Sequence, residues 1–326
     1  MQLASAAQMR ELDRQTIEEI GLPGMVLMEN AGRATVDLMQ RVFGPVAGRT
    51  VCVFAGPGNN GGDGLVIART VHGLGAFPFI FLLVRPDQLQ GDAARNFAIA
   101  SALRLPCQVF DQSGKIPALL DTVLTLNRMH PVHSLVDALF GTGLTRPVEG
   151  HFLDAINCLN SLRENNSLPV VAVDLPSGLN SDTGAVLGGA VQADLTVTYA
   201  QPKPGHYHHG GPQVGRVERV DIGILCQGLG GTEHAAAEIE RLRGGGKFQT
   251  QHLGEIRRHR QHMARLVGAH RDMVLGVGRG RDRIHRGRHC AAGQVVDDGR
   301  SGVLHDHVTG LGAVLVADQE RRQAVV

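Results

Sequence analysis

An apolar run at 50–54 (TVCVF) passes directly into FAGPGNNGGDG at 54–64, which holds five glycines, two asparagines and an aspartate, and then into LVIARTVHGLG. Strand, glycine loop and helix start in this order leave few folds open. Without a Cβ the backbone approaches a ligand closely, and the free N–H groups of a helix N-terminus face an anion, so the unit suits a phosphate. Gly56, Gly58 and Gly61 satisfy G-x-G-x-x-G. That match is weak by itself, and its weight depends on what the rest of the chain places beside it.

From Thr50 onward short β-rich runs alternate with helical windows. TVCVF is followed by PFIFLLV (78–84), the helix GDAARNFAIASALR, CQVF at 107 and a helix near 116–126. Then come PVHSLVDAL from 131, a helix near 152–162, PVVAVDL from 169, ADLTVTYA (193–200) and GRVERVDIG (215–223). Five or more strands with helical crossovers predict an α/β, Rossmann-like doubly wound domain whose mainly parallel sheet carries helices on both faces. Two helices precede it. The first, over 8–20, has Met9, Leu12, Ile17 and Ile20 close to helical spacing and stops at Gly21, with Pro23 behind it; the second covers 25–43. They read equally as a cap or subunit-contact layer and as plain core helices.

At 326 residues and 43% hydrophobic content the chain suffices for one large or two ordinary domains. No run approaches the roughly 18 to 20 apolar residues of a membrane span, and the start MQLASAAQMRELDRQ lacks a signal peptide's basic and apolar regions. Five cysteines (Cys52, Cys107, Cys158, Cys226, Cys290) are odd in number, scattered and without C-x-x-C. They predict reduced, mostly buried thiols in a cytoplasm.

In doubly wound sheets ligands sit outside the carboxyl ends of the strands. Three strands end there in loops rich in glycine and carboxylate: 54–64, VDALFGTGLTRP at 136–147 and VDLPSGLNSDTG at 173–184. Asp137 and Asp174 each stand where an apolar run leaves the sheet. One such Asp is as readily a helix cap or turn former, but two at equivalent ends favour a site. Oxygen ligands from Asn60, Asp137 and Ser177 suit a hard cation of low charge, and no His or Cys cluster has zinc spacing. His206, His208 and His209 look like a metal tract, although their Pro and Gly neighbours favour a flexible solvated loop. Arg146 and the backbone of GTGLTRP (141–147) offer a second phosphate site, and Lys203, one of three lysines, offers a phosphate or ribose contact. A nicotinamide dehydrogenase would want an acidic residue at the end of the second strand to hold the ribose. Here that strand runs into Arg85, with Asp87 two residues on.

These residues bear a family resemblance. GPGNNGGDG (56–64), DALFGTGL (137–144), VDLPSGLNSDTG (173–184) and PKPG (202–205) resemble, in order, the motifs of the NAD(P)H-hydrate epimerases, whose domain is also called the YjeF N-terminal domain. The likeness covers about residues 1–224, with the first helix MRELDR and the segment MENAGR (28–33) included. It implies an isomerase of nicotinamide cofactor repair, interconverting the R and S forms of NADH or NADPH hydrated at C6 of the nicotinamide ring. By that resemblance Asn59, Asn60, Gly61, Gly62 and Asp63, with Gly141, Thr142, Gly143, Leu144, Thr145, Arg146 and Pro147, would contact substrate. Asn60, Asp137 and Ser177 would hold potassium, and Asp174 would contact the nicotinamide end. Losing and regaining a hydroxyl at C6 needs a proton donor and acceptor near that carbon, and Asp174 is the catalytic residue expected in that role. A homodimer working alongside a dehydratase is implied as well. A non-catalytic nucleotide-binding or scaffold domain is the alternative, and the intact Asp174 and potassium trio argue against it.

At about 225 the resemblance ends and the composition changes. Residues 1–224 hold 16 Lys+Arg against 20 Asp+Glu, a net of −4, whereas 225–326 hold 16 against 11, a net of +5. The latter stretch has one aromatic residue (Phe248), no proline and nine of the sixteen histidines. In many family members a kinase-like dehydratase domain follows here, and none of its motifs is present. Arginine clusters without aromatic interleaving make nucleic-acid binding an unfavoured reading. A small folded domain with a strand at 310–317 is another. The expectation is a poorly ordered tail, too short of large apolar groups to offset its ordering entropy, or an altered remnant such as a dehydratase sequence read in a shifted frame.

Overall fold

A computed structural model describes residues 3–208 and 211–224, all within Met1–Gln249, the first of two units into which the chain divides. The expectations for 225–326, for His209 and for Cys226 and Cys290 lie outside the described residues. Seven strands are present among the described residues: β1 (Thr50–Ala55), β2 (Phe77–Leu82), β3 (Cys107–Val109), β4 (Val132–Ala138), β5 (Val170–Val173), β6 (Leu195–Tyr199) and β7 (Arg216–Val220). They form one sheet in the order β3-β2-β1-β4-β5-β6-β7, with every neighbouring pair parallel. The chain builds outward from β1 to β3, returns to lay β4 on the other side of β1, and builds outward again to β7. Between β1 and β4 the connections diverge, which opens a crevice at the carboxyl ends of the strands.

Helices α1 (Ala6–Arg14), α2 (Gly24–Phe43), α3 (Asn59–Gly73), α4 (Gly91–Ala102), α5 (Ile116–Met129), α6 (Gly150–Asn166) and the short α7 (Gly211–Val214) complete the domain. Successive strand residues feed two cores, as the pleat requires. Val51, Val53, Ile80, Val136 and Val171 pack with residues of α1 to α4; Cys52, Phe54, Phe81, Leu135 and Ala172 pack with α5 and α6. Burial on both faces is why these runs are continuously apolar instead of alternating. The first two helices belong to the core: Met9, Leu12, Leu27, Ala31, Val36 and Met39 are buried in the first cluster.

The first helix departs from the sequence expectation. Ser5 caps α1, its Oγ accepting from Gln8 N at 3.2 Å while Gln8 Oε1 accepts from Ser5 N at 2.8 Å. Beyond Arg14 the helix widens into a π turn over Gln15–Glu19, closed by Ile20 N donating to Gln15 O at 3.0 Å. The wider turn rotates the following residues, so Thr16 is buried while Ile17 and Ile20 face outward. Cys52 and Cys158 are buried as expected, but Cys107 is exposed because β3 is an edge strand. No helix among the described residues is long and apolar enough to cross a membrane.

Candidate active site

The glycine segment folds differently from the loop expected. Only Gly56 to Gly58 lie between β1 and α3; the helix starts at Asn59, so Gly61, Gly62 and Gly64 stand inside it. Glycine is a poor helix former, at about 1 kcal/mol worse than alanine, so another contact must favour it here. At Gly62 and Gly64 that contact is a side chain, Met28 and Ala138 respectively, and at Gly61 it is backbone against backbone. A Cβ on Gly61 would lie 2.1 Å from the Gly56 carbonyl oxygen, and one on Gly56 would lie 1.9 Å from that of Leu139. The Gly56 N–H donates to Ala138 O at 3.0 Å. The loop after β1 is thereby pressed against the loop after β4, across the crevice.

Asp137 sits in this wall, fully buried in β4. Its Oδ2 accepts from Ser177 N at 2.8 Å and its Oδ1 from Ser177 Oγ at 2.6 Å and Leu139 N at 3.3 Å. Burial pushes its carboxyl up to about 6, although the Ser177 and Leu139 bonds pull the other way. No Lys or Arg pairs with it among the described residues. The Ser177 Oγ also accepts from Phe140 N at 2.9 Å, and the next residue, Gly141, lies against Asn60, so that a Cβ on Gly141 would stand only 3.3 Å from Asn60 Oδ1. Asn60 is buried and its Nδ2 has no partner. An uncompensated carboxylate, a hydroxyl and an orphaned amide, linked through 139–141, offer oxygen ligands and lack a positive charge. Such a donor set fits a hard monovalent cation, given that the amide can turn to present its oxygen.

The second centre follows β5. Asp174 adopts φ +64, a left-handed conformation that Asp tolerates better than most residues. Its Oδ1 accepts from Thr198 Oγ1 and Tyr199 N, both at 3.1 Å, and from the Lys203 ammonium. Its Oδ2 takes none of these bonds. Lys203 corrects the expected phosphate or ribose contact: it is only 1% exposed, and it spends its other donors on Thr198 Oγ1 at 3.0 Å and Tyr199 O at 3.1 Å. His206, expected in a solvated loop, is 2% exposed. Its Nε2 donates to Asp174 O at 2.9 Å and its Nδ1 accepts from Lys203 N at 3.0 Å. Burial, with the nearby Lys203 charge, lowers the imidazole to about 4 and keeps it neutral. His208 is exposed.

Two further carboxyls feel the same charges. Asp13, carried on α1, is pushed up to about 6 by burial and by Asp174, against the pull of Lys203. Asp63, in the first turns of α3, is raised well above the usual carboxylate range by burial, Asp174 and Asp13, again against Lys203. Tyr199 shares a 2.8 Å hydrogen bond with Thr35 of α2, and burial with the Asp63 charge raises its phenol. Sequence reasoning missed Asp13 and Tyr199. For Asp13 a signal existed: it lies four residues after Met9 and three before Thr16, on the face of the helix that is buried.

Of the other predicted contacts, Asn59 to Asp63 form the first turns of α3 at the crevice. Thr142 O accepts a 3.4 Å bond from Ser181 Oγ, and Leu144 packs on the α5–α6 core. Gly143, Thr145, Arg146 and Pro147 are exposed, and Arg146 forms no ion pair among the described residues. At the end of β2, Arg85 engages both oxygens of Asp87, at 3.1 and 3.0 Å, in the place where a dehydrogenase would hold its ribose.

Comparison with known proteins bears on this geometry. The family model described as YjeF-related protein N-terminus matches residues 24–205. A bifunctional NAD(P)H-hydrate repair enzyme of Salinibacter ruber is 43% identical over 223 residues, 68% of this chain and 40% of that protein. An NAD(P)H-hydrate epimerase of Limosilactobacillus reuteri is 39% identical over 203 residues, 62% of this chain and 86% of that one. The crystal structure of yeast ynu0 superimposes with a TM-score of 0.56 at 26% identity, covering 68% of this chain and 88% of the yeast chain. The chain thus spans about two-fifths of the relatives named bifunctional and most of the one named NAD(P)H-hydrate epimerase.

Proposed function

The chain belongs to the family of YjeF-related protein N-termini, and from that premise we propose that it is an NAD(P)H-hydrate epimerase, which interconverts the R and S forms of NADH or NADPH hydrated at C6 of the nicotinamide ring. The observation that carries the reading is Asp174, held at the crevice with one oxygen tied by three donors and the other without a hydrogen bond among the described residues. In the reaction the ring nitrogen N1 pushes its lone pair into a C6=N1 bond as the C6–O bond breaks. A carboxyl proton goes to the departing oxygen, which leaves as water. Water then adds to the opposite face of C6, its electron pair forms the new C6–O bond, and a carboxylate takes its proton. No electrons are gained or lost overall. Asp174 is the group for these transfers, and burial raises the carboxyls of the neighbouring Asp63 and Asp13. Asn59 to Asp63 and the Gly141 to Pro147 loop flank the crevice for the dinucleotide.

The chemistry is tested by mixing the purified protein with resolved epimers of hydrated NADH and following their interconversion by chromatography, with and without potassium. Conversion well above the spontaneous rate, and faster with potassium, is expected. Conversion no faster than the spontaneous rate would leave the reading as a non-catalytic nucleotide-binding domain in front. The dehydrogenase reading is disfavoured by the engagement of Asp87 with Arg85.

Potassium is part of the proposal: Asn60, Asp137 and Ser177 would hold it, and it would supply the positive charge that the buried carboxylate lacks. This has a readout independent of activity. The Asp137 carboxyl titrates near 6 in the folded chain against an ordinary value of 3.8. The folded state therefore binds the extra proton between these values, and its stability falls as pH rises through that window. A cation bound to the ionised form offsets the loss. Potassium at about 10 to 100 times its dissociation constant adds about 1.4 to 2.7 kcal/mol. The thermal midpoint should rise by several degrees when potassium replaces choline at pH 8 and by much less at pH 4; equal shifts at both pH values would remove Asp137 from the site.

The same reading has the chain acting as a homodimer beside an NAD(P)H-hydrate dehydratase. Support for the coupling is that the Salinibacter relative is named bifunctional. The free thiols of Cys52, Cys107 and Cys158 agree with a cytoplasmic setting.

A further inference from the structure

We propose that Lys203 is the positioning residue of this centre: it fixes Asp174 Oδ1 and leaves Oδ2 to exchange the proton with substrate. The inference rests on the epimerase reading. Asp174 is gripped twice by one short segment, at its side chain by the Lys203 ammonium and at its carbonyl by His206 Nε2 at 2.9 Å. The segment is itself closed: Lys203 N donates to His206 Nδ1 at 3.0 Å, and His206 N donates to Lys203 O at 3.1 Å. Pro204, between them, fixes its backbone angle in the 3-10 turn Pro204–His206. Shifting this turn would move both Asp174 contacts together.

The turn in turn holds α1. Ala4 N donates to Pro202 O at 2.9 Å, next to Lys203, and Ala6 N donates to Asp182 Oδ1 at 2.7 Å, on the loop that follows Asp174. Thus α1, which precedes the matched residues 24–205, brings Asp13 into a cluster with Asp63 of α3 and Asp174. Three carboxyls share one ammonium. An ammonium this deeply buried is costly unless paired at close range. Asp174 alone of the three is tied to it by a hydrogen bond. The other charged or titratable groups that sense the centre are Tyr199 of β6 and His206, both neutral by burial.

The test uses the full chain with Lys203→Met and Lys203→Arg, measuring epimerisation against substrate concentration from pH 5 to 9 beside thermal midpoints. Lys203→Met should lose about 100-fold in kcat with KM changed less than about 3-fold, and the acid limb of its rate profile should move to higher pH, because the charge favouring the carboxylate is gone. Lys203→Arg keeps the charge and should restore part of the rate and the limb. A folded Lys203→Met with wild-type kcat and an unmoved limb overturns the proposal, as does equal loss in both variants with the limb unchanged. Should Lys203→Met not fold, Asp13→Asn decides: removing one competing carboxylate should move the limb to lower pH, and an unmoved limb refutes the shared cluster. A wild-type chain that does not epimerise sinks the reading and the inference together; an active one with an unaffected Lys203→Met sinks the inference alone.

Discussion

Asp174→Asn is expected to fold, to bind hydrated NADH, and to interconvert its epimers about 10²- to 10⁴-fold more slowly than the wild type, the range that a positioned acid and base contribute. Asparagine is the informative replacement. Asp174 stands at φ +64, where Asn is as well tolerated as Asp but a residue such as Ala is strained by roughly 1 kcal/mol. The amide oxygen can still accept from Thr198, Tyr199 N and Lys203, so the bonds now made to Oδ1 have an acceptor. What is removed is the charge, and with it the proton transfer. Alanine would instead leave the Lys203 ammonium buried without its hydrogen-bonded partner, a loss of about 3 to 5 kcal/mol that would confuse misfolding with lost chemistry. Binding is followed by the substrate's protection of the chain against heat, and rate by chromatography of the epimers. An Asp174→Asn chain that binds and still converts at the wild-type rate removes Asp174 from the chemistry.

Much of this site was legible because its signals are local. The strand–glycine–helix unit, the continuous apolar runs of doubly covered strands and the carboxylates at their ends all lie within about ten residues of one another, and pattern reading reaches that far. The misses were contacts across long stretches of chain. The Lys203 and His206 bonds to Asp174 span 29 and 32 residues, and the flanking Pro and Gly that suggested a solvated loop instead close a buried turn. Gly61 and Gly62 read as loop because glycine disfavours helix, and packing overrides that preference. The π turn after Arg14 has no periodic signature either; it is seen only in the outward face of Ile17 and Ile20. Even so, Asp13 stood on the buried face of its helix, where an unpaired acid asks for an explanation.

Gly56→Ala is expected to lower stability by about 3 kcal/mol or more, at the upper end for single substitutions. The added Cβ would sit 1.9 Å from Leu139 O, 2.7 Å from Leu139 C and 2.9 Å from Leu139 Cα, all main-chain atoms. Relief cannot come from rotating a side chain; it requires the loop after β4 to retreat. Leu139 N donates to Asp137 Oδ1 and Phe140 N to Ser177 Oγ, so a retreat disturbs the oxygen ligands as well as the packing. A fraction of Gly56→Ala that folds should therefore lose the potassium-dependent rise in thermal midpoint at pH 8, whereas a merely destabilised chain with an intact site would keep it. Gly73→Ala is the control on α3. A Cβ placed there would meet no atom within 4 Å, and Gly73 ends the helix that Asn59 begins, so alanine should stabilise by about 0.4 to 1 kcal/mol through the unfolded chain alone. Urea titration of the two variants reads both signs. If Gly56→Ala falls within about 0.5 kcal/mol of wild type, the scatter of ordinary surface changes, the two loops are not in backbone contact, and the glycines of 56–64 must be explained by substrate approach instead of by the joining of β1 to β4.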